Sequence, residues 1–158
     1  MTLCYLGLGS NLNSPERQLR RAVNVLRKLP KSCITQIASF YRSEAWGRKT
    51  QPKFCNTVIA LQTQLSPQQL LCYCHKIEHQ QQRVRRLQWG SRTLDIDILL
   101  YGTQKIATVD LKIPHPRITE RDFVFLPLLE IAPSLTINGL KLKDLIANKP
   151  CSAQKMRI

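Results

Sequence analysis

Apolar positions along this chain fall into short runs whose spacing switches between period two and the helical period. Residues 2–8 (Thr-Leu-Cys-Tyr-Leu-Gly-Leu) read as a buried strand that stops at Gly9-Ser10-Asn11. Leu19, Ala22, Val23 and Leu26 then recur at i, i+3, i+4 and i+7. That stripe predicts a helix with Pro15 at its first position, Ser14 as its cap and Pro30 closing it. Arg17, Arg20, Arg21, Arg27 and Lys28 lie largely off the stripe and read as a solvated face.

The β-branched and aromatic residues 34–42 predict a second strand, a polar loop over 43–53 follows, and residues 54–63 predict a third strand. Ser66-Pro67-Gln68-Gln69 is a capping box that starts a second helix running to about Gln81, with Leu70, Leu71, Cys74 and Ile77 on one face. Residues 82–90, dense in Arg and Gln, have no apolar period and read as a mobile surface loop. The clearest strand follows: Leu94, Ile96, Ile98 and Leu100 alternate with Asp95, Asp97, Leu99 and Tyr101, bounded by Gly102. Short β pieces around 105–106 and 111–113, a helix over 123–131 and a short helix over 142–148 complete the chain. With no internal repeat or linker, residues 1–158 read as one domain. The order β-α-β-β-α-β predicts an α+β, ferredoxin-like sandwich with an antiparallel sheet and extra C-terminal helices. Helices on one face would leave the other free to carry a site.

Charge narrows the partners. Lys plus Arg number 24 against 10 Asp plus Glu, a net charge of +14, which suits either a nucleic-acid backbone or a small polyanion. No apolar run approaches a membrane span and no leader precedes the first strand. Six cysteines occur, four of them in apolar patterns, and Cys72-x-Cys74 has no second pair at zinc-finger spacing. Buried free thiols in a reducing cytoplasm are the expected state.

Candidate chemistry concentrates in the second half. Asp95 and Asp97, two apart on a strand, share a face with carboxylates roughly 6–7 Å apart, a spacing at which both can converge on Mg²⁺ beside phosphate oxygens. Arg83, Arg85, Arg86 and Arg92 lie just upstream, and guanidinium forks match phosphate oxygens. Trp89 in that polar loop can serve as a lid. His75 and Glu78 share a helix face within reach of a ribose or base. His115 sits stiffly between two prolines, six residues before Arg121. Gly7-Leu8-Gly9-Ser10-Asn11-Leu12 lacks the remaining residues of a dinucleotide or P-loop motif; its glycines read as room for close packing and a turn.

Together G-L-G-S-N-L at 7–12, F-Y-R-S-E at 40–44, Q-P-x-F-x-N at 51–56, R-V-R at 83–85, W-G-S-R-T-L-D-I-D-I-L-L at 89–100 and P-H-P-R-x-x-E-R-x-F at 114–123 resemble the 6-hydroxymethyl-7,8-dihydropterin pyrophosphokinase family. The resemblance implies transfer of the diphosphate of ATP to 6-hydroxymethyl-7,8-dihydropterin, releasing AMP, in folate biosynthesis. It implies that Asp95 and Asp97 hold two Mg²⁺ that bridge ATP and the attacking hydroxyl. Phe54 and Phe123 would sandwich the pterin, with Ser43, Trp46, Asn56 and Asp95 completing its site. ATP would meet His75, Glu78, Arg85, Trp89, Arg92, Ile98, His115 and Arg121, and Arg83, Arg92 and Asp97 would act in transfer. Three positions depart from the usual pattern: His75 stands where Gln is common, Gln88 where a basic residue is usual, and Glu44 where Pro is frequent.

Two rival readings fare less well. A metal-dependent nucleotidyltransferase would carry its Gly-Ser directly upstream of the acids, whereas Gly9-Ser10 lies far away in sequence. A ferredoxin-like RNA-binding module would carry aromatic runs on its central strands, and the chain has only 6% aromatic residues and no such run. The expectation is therefore a monomeric cytoplasmic enzyme with no nucleic-acid or membrane partner.

Overall fold

Glycine and apolar residues with no charge among them let Thr2–Ser10 (β1) sit at the heart of a sheet. The structure, a computed structural model, describes residues 1–11, 14–43, 54–81 and 94–156. β1 is flanked on one side by Phe54–Thr63 (β4) and on the other by Asp95–Tyr101 (β5), both antiparallel to it. The far side of β4 pairs with Ser32–Ile37 (β2) and with Tyr41–Ser43 (β3), and Gln154–Lys155 (β10) closes the edge beside β3. The molecule is thus an α+β fold on an antiparallel sheet.

Pro15–Leu26 (α1) and Pro67–Gln81 (α2) cover one sheet face. Leu19, Ala22 and Leu26 from α1 and Leu70, Cys74 and Ile77 from α2 are buried with Leu6, Ile59, Leu61, Ile96 and Ile98. Leu19, Leu26 and Leu70 are essentially inaccessible, so truncating any of them to Ala costs about 2–5 kcal/mol. The capping box forms as expected: Ser66 N–H donates to Gln69 Oε1 at 2.9 Å, and Gln69 N–H donates to Ser66 Oγ at 3.1 Å. Ser14, in contrast, makes no side-chain cap; it has φ 58°, and its carbonyl accepts from Gln18 N–H at 3.1 Å.

The other sheet face is not left bare. Asp122–Ile131 (α3) packs Val124, Phe125 and Leu128 against Tyr5, Val58, Ala60 and Leu99, with Leu142–Leu145 (α4) behind it. Half of that face is a second core, and the other half opens on a cavity. The sequence expectation misses this because α3 is apolar nearly all round, with no stripe to say where it docks.

Further boundaries shift for physical reasons. β1 runs through Gly9 and Ser10 instead of turning there, since both pair with β4. The strand expected over 34–42 breaks at 38–40: Thr57 Oγ1 donates to the carbonyls of Ala38 (3.0 Å) and Ser39 (3.2 Å), and Ser39 N–H donates to Glu130 Oε2 at 2.8 Å. Side chains there satisfy backbone groups that a ladder would otherwise use. On β5 the alternation slips, because the register against β1 shifts between Tyr5 and Leu6; Leu100 joins the α3 core and Tyr101 the α1–α2 core. Ile106–Ala107 (β6) and Lys112–Ile113 (β7) pair as a small hairpin, and Thr136–Ile137 (β8) pairs with Leu140–Lys141 (β9). The last helix is shorter than the expected 142–148.

All six cysteines are free. Cys4, Cys55 and Cys74 are buried, and burial pushes each thiol up to about 12. Cys72 is exposed, so the expectation of buried thiols holds for only half of the C-x-C pair: two residues apart on a helix point to opposite sides. Among the described residues no helix is long and apolar enough to cross a membrane.

Candidate active site

Four strands bring polar residues to the open half of the second face. Across β1, Gly9 lies opposite Asp95 on β5 and Asn56 on β4, and Gly7 lies opposite Asp97 and Val58. Next along, Tyr41 pairs with Asn56 and Ser43 with Phe54. The two glycines leave a trough between the Asp pair and Asn56. At Gly9 the trough is obligatory: a Cβ there would stand 2.7 Å from Asn56 Oδ1. Asn56 is buried and cannot swing away freely, because its Nδ2 donates to Ser43 Oγ at 2.9 Å.

This trough is the floor of a cavity of about 340 Å³ whose opposite wall is the start of α3. Phe54, Asn56 and Ser43 line it from the sheet, Arg121 and Phe123 from the helix side, and Asp95 and Asp97 at its edge. The Arg121 guanidinium lies 3.9 Å from Asp97 Oδ2 and 5.9 Å from the Phe123 ring centre. With both partners about a third or more exposed, the ion pair is worth under about 1 kcal/mol and yields easily to a ligand.

Asp95 and Asp97 also line a second, wider cleft of about 610 Å³. His75 and Glu78 of α2, Asp110 and Lys112 of the β6–β7 hairpin, and Ile98 and His115 line it together. His115 N–H donates to Leu99 O at 2.9 Å, and its Nδ1 accepts from Arg117 N–H at 3.2 Å. Burial lowers its pKa from 6.5; Asp97 opposes this, and Arg121 and Arg117 add to it. With Nδ1 occupied as an acceptor, the neutral ring carries its proton on Nε2, a donor suited to a phosphate oxygen.

The structure therefore sorts the expected residues into two groups sharing one acidic border. Ser43, Phe54, Asn56 and Phe123 face the first cavity; His75, Glu78, Ile98 and His115 face the second. Arg121, expected with ATP, lines the first cavity beside Asp97. Trp46, Arg83, Arg85, Trp89 and Arg92 lie outside the described residues. Thr57, Arg117, Glu120, Asp110 and Lys112 also line the cavities and were not anticipated. Arg117 and Glu120 had a signal, since both belong to the P-H-P-R-x-x-E-R block. Thr57 had none: strand alternation places it opposite Asn56's face.

Gly9 and Ser10 do not form the phosphate-binding turn of a nucleotidyltransferase. Gly9 is a direct neighbour of Asp95 in the sheet, but Ser10 is fully buried at the next strand position and presents no phosphate loop.

A family model described as 7,8-dihydro-6-hydroxymethylpterin-pyrophosphokinase (HPPK) matches residues 5–133. The chain belongs to the HPPK family. Among similar HPPK relatives, the 2-amino-4-hydroxy-6-hydroxymethyldihydropteridine pyrophosphokinase of Haemophilus influenzae is 44% identical over 137 residues, covering 87% of this chain and 86% of that protein. The protein of the same description from Pseudomonas aeruginosa is 42% identical over 147 residues, covering 92% and 91%. A crystal structure of Plasmodium falciparum HPPK-DHPS with SDX-DHP superposes with a TM-score of 0.70 at 14% identity over 93% of this chain. That likeness is one of fold, and this HPPK-family chain spans 43% of that longer protein.

Proposed function

We propose that the chain transfers the β,γ-diphosphoryl group of ATP to the hydroxymethyl oxygen of 6-hydroxymethyl-7,8-dihydropterin, releasing AMP, in folate biosynthesis. The observation that carries this reading is the start of β5, where Asp95 and Asp97 border both cavities at once. The smaller cavity, with two phenylalanines and the Asn56–Ser43 pair, suits a flat heterocycle with a donor–acceptor edge. The wider polar cleft suits a nucleotide, and the acids between them mark where the two react.

Asp95 and Asp97 fit Mg²⁺ as hard oxygen donors on one strand face, and they are the residues that would hold the two ions. Among the described residues no three or more His, Cys, Asp or Glu side chains are grouped closely enough to hold a metal ion by themselves. Mg²⁺ needs none, since one or two carboxylates with water and phosphate complete its shell. Bound there, the ions would offset phosphate charge and draw the two substrates together.

Diphosphoryl transfer asks the protein chiefly for positioning and charge. Phe54 and Phe123 bind the pterin ring, and Ser43, Trp46 and Asn56 read its edge. His75, Glu78 and Ile98 hold the nucleoside; Arg83, Arg85, Arg92 and Arg121 with His115 Nε2–H bind phosphate oxygens, and Trp89 covers the site. Asp97 is the nearest acceptor for the hydroxyl proton.

The sheet order, counting β2 and β3 as one broken strand, supports a ferredoxin-like arrangement with α3 and α4 added. We read residues 1–158 as one domain acting as a monomer in the cytoplasm, without nucleic acid or membrane. The deciding experiment incubates the protein with Mg²⁺, ATP and 6-hydroxymethyl-7,8-dihydropterin. Pterin-dependent AMP with pterin diphosphate is expected; ADP, or no pterin-dependent AMP, overturns the reading.

A further inference from the structure

The two walls of the smaller cavity come from separate elements, and one stretch of chain is fastened to both. Asp122, directly before Phe123, accepts through Oδ2 from Ser152 N–H at 2.6 Å and Ala153 N–H at 2.8 Å, with Ser152 Oγ at 3.4 Å. Two residues on, Gln154 and Lys155 pair with Arg42 and Tyr41 of β3, and Met156 N–H donates to Phe40 O at 2.8 Å. β3 in turn sets Ser43 opposite Phe54 and within bonding distance of Asn56. The chain from 152 to 156 therefore spans from the Phe123 wall to the Phe54 wall.

We propose that this segment fixes the separation of the two walls, with Asp122 as the positioning residue that seats it, so that Asp122 governs affinity for the flat heterocycle without touching it. One carboxylate oxygen accepting two backbone N–H groups makes a strong, directional anchor. At its other end α3 has a direct tie: Glu130 accepts from Ser39 N–H and from Tyr41 O–H, both at 2.8 Å. At the Phe123 end Val124 and Phe125 pack on Val58 and Ala60 of β4, and among the described residues the hydrogen-bonded link to β3 there runs through the intervening segment, whose Lys155 also lies 3.5 Å from Glu130. The nucleotide-side cleft is lined by α2 and the β6–β7 hairpin, to which the segment makes no hydrogen bond among the described residues. The family match ends at residue 133, so the segment lies outside it.

The inference rests on the pterin reading above, and its test separates the two. 6-Hydroxymethylpterin is titrated calorimetrically into the full chain with Mg²⁺ and a saturating non-hydrolysable ATP analogue. The analogue is titrated separately. Asp122→Ala is expected to weaken pterin binding about 5–10-fold, Asp122→Asn by less because its amide oxygen still accepts, and both to leave analogue affinity within about twofold. Should Asp122→Ala fail to fold, the graded loss in Asp122→Asn decides. Pterin affinity unchanged in the variants, or both ligands weakened in proportion, overturns the positioning role. Absence of pterin binding by the unaltered protein overturns the pterin reading and this inference with it.

Discussion

Replacing Gly9 by Ala tests the trough directly, and Gly7→Ala is its built-in control. The new Cβ at position 9 would lie 2.7 Å from Asn56 Oδ1, closer than carbon and oxygen tolerate, whereas at position 7 it would meet Leu99 side-chain atoms at 3.5 Å, an ordinary contact. Asn56 relieves the first clash by rotating, which breaks its 2.9 Å bond to Ser43 inside a buried pair. Overpacking and the lost buried hydrogen bond together cost about 2–4 kcal/mol, a fall in Tm of about 4–16 °C for a chain of this size. If Asn56 reads the heterocycle's edge as proposed, displacing its amide should also weaken pterin binding about tenfold. Gly7→Ala should stay within about 1 kcal/mol of the unaltered protein, since a strand glycine gives up entropy that alanine does not. Differential scanning calorimetry and pterin titration on both variants read the two effects. Equal Tm for the two variants, or Gly9→Ala with undiminished pterin affinity, would refute the reasoning.

Asp95→Ala and Asp97→Ala should each abolish measurable turnover while far-UV circular dichroism and Tm stay close to the unaltered values, because both residues line open cavities instead of the packed core; near-normal rates would overturn the proposed metal role. Glu130 gives a pH signature. Burial raises its pKa, but bonds from Ser39 and Tyr41 and the charge of Lys155 outweigh this and hold it below 4.5. Its stabilising contribution is therefore present above about pH 4.5 and lost as the pH falls through the folded value. Glu130→Gln should be less stable than the unaltered protein at pH 7, with the gap closing in acid, measured by urea unfolding; a gap of constant size would contradict the assignment.

How much of this was legible beforehand differs between fold and site. Leu19, Ala22, Val23 and Leu26, and the Ser66–Gln69 box, specify their helices through neighbours a turn away, and such patterns survive in any context. Asp95 and Asp97 likewise announce a shared face by being two apart. The breaks were not legible, because their causes are distant. Glu130 reaches back to Ser39 across the fold, and Thr57 takes carbonyls from a strand that otherwise reads as continuous. Phe54 and Phe123 carry no pattern linking them; the family resemblance paired them, and the structure places both on one cavity. β10 could not be read, since Gln154-Lys155 offers no β-branched or aromatic residue to mark a strand.

The cysteines supply a clock that needs no engineering. Cys33, Cys72 and Cys151 are exposed, while Cys4, Cys55 and Cys74 are buried on β1, β4 and α2 and are almost wholly un-ionised at neutral pH. An alkylating reagent would thus mark three positions at once and three only as the molecule opens. Mass spectrometry of the slow set would time the opening of the central strands and of α2 separately.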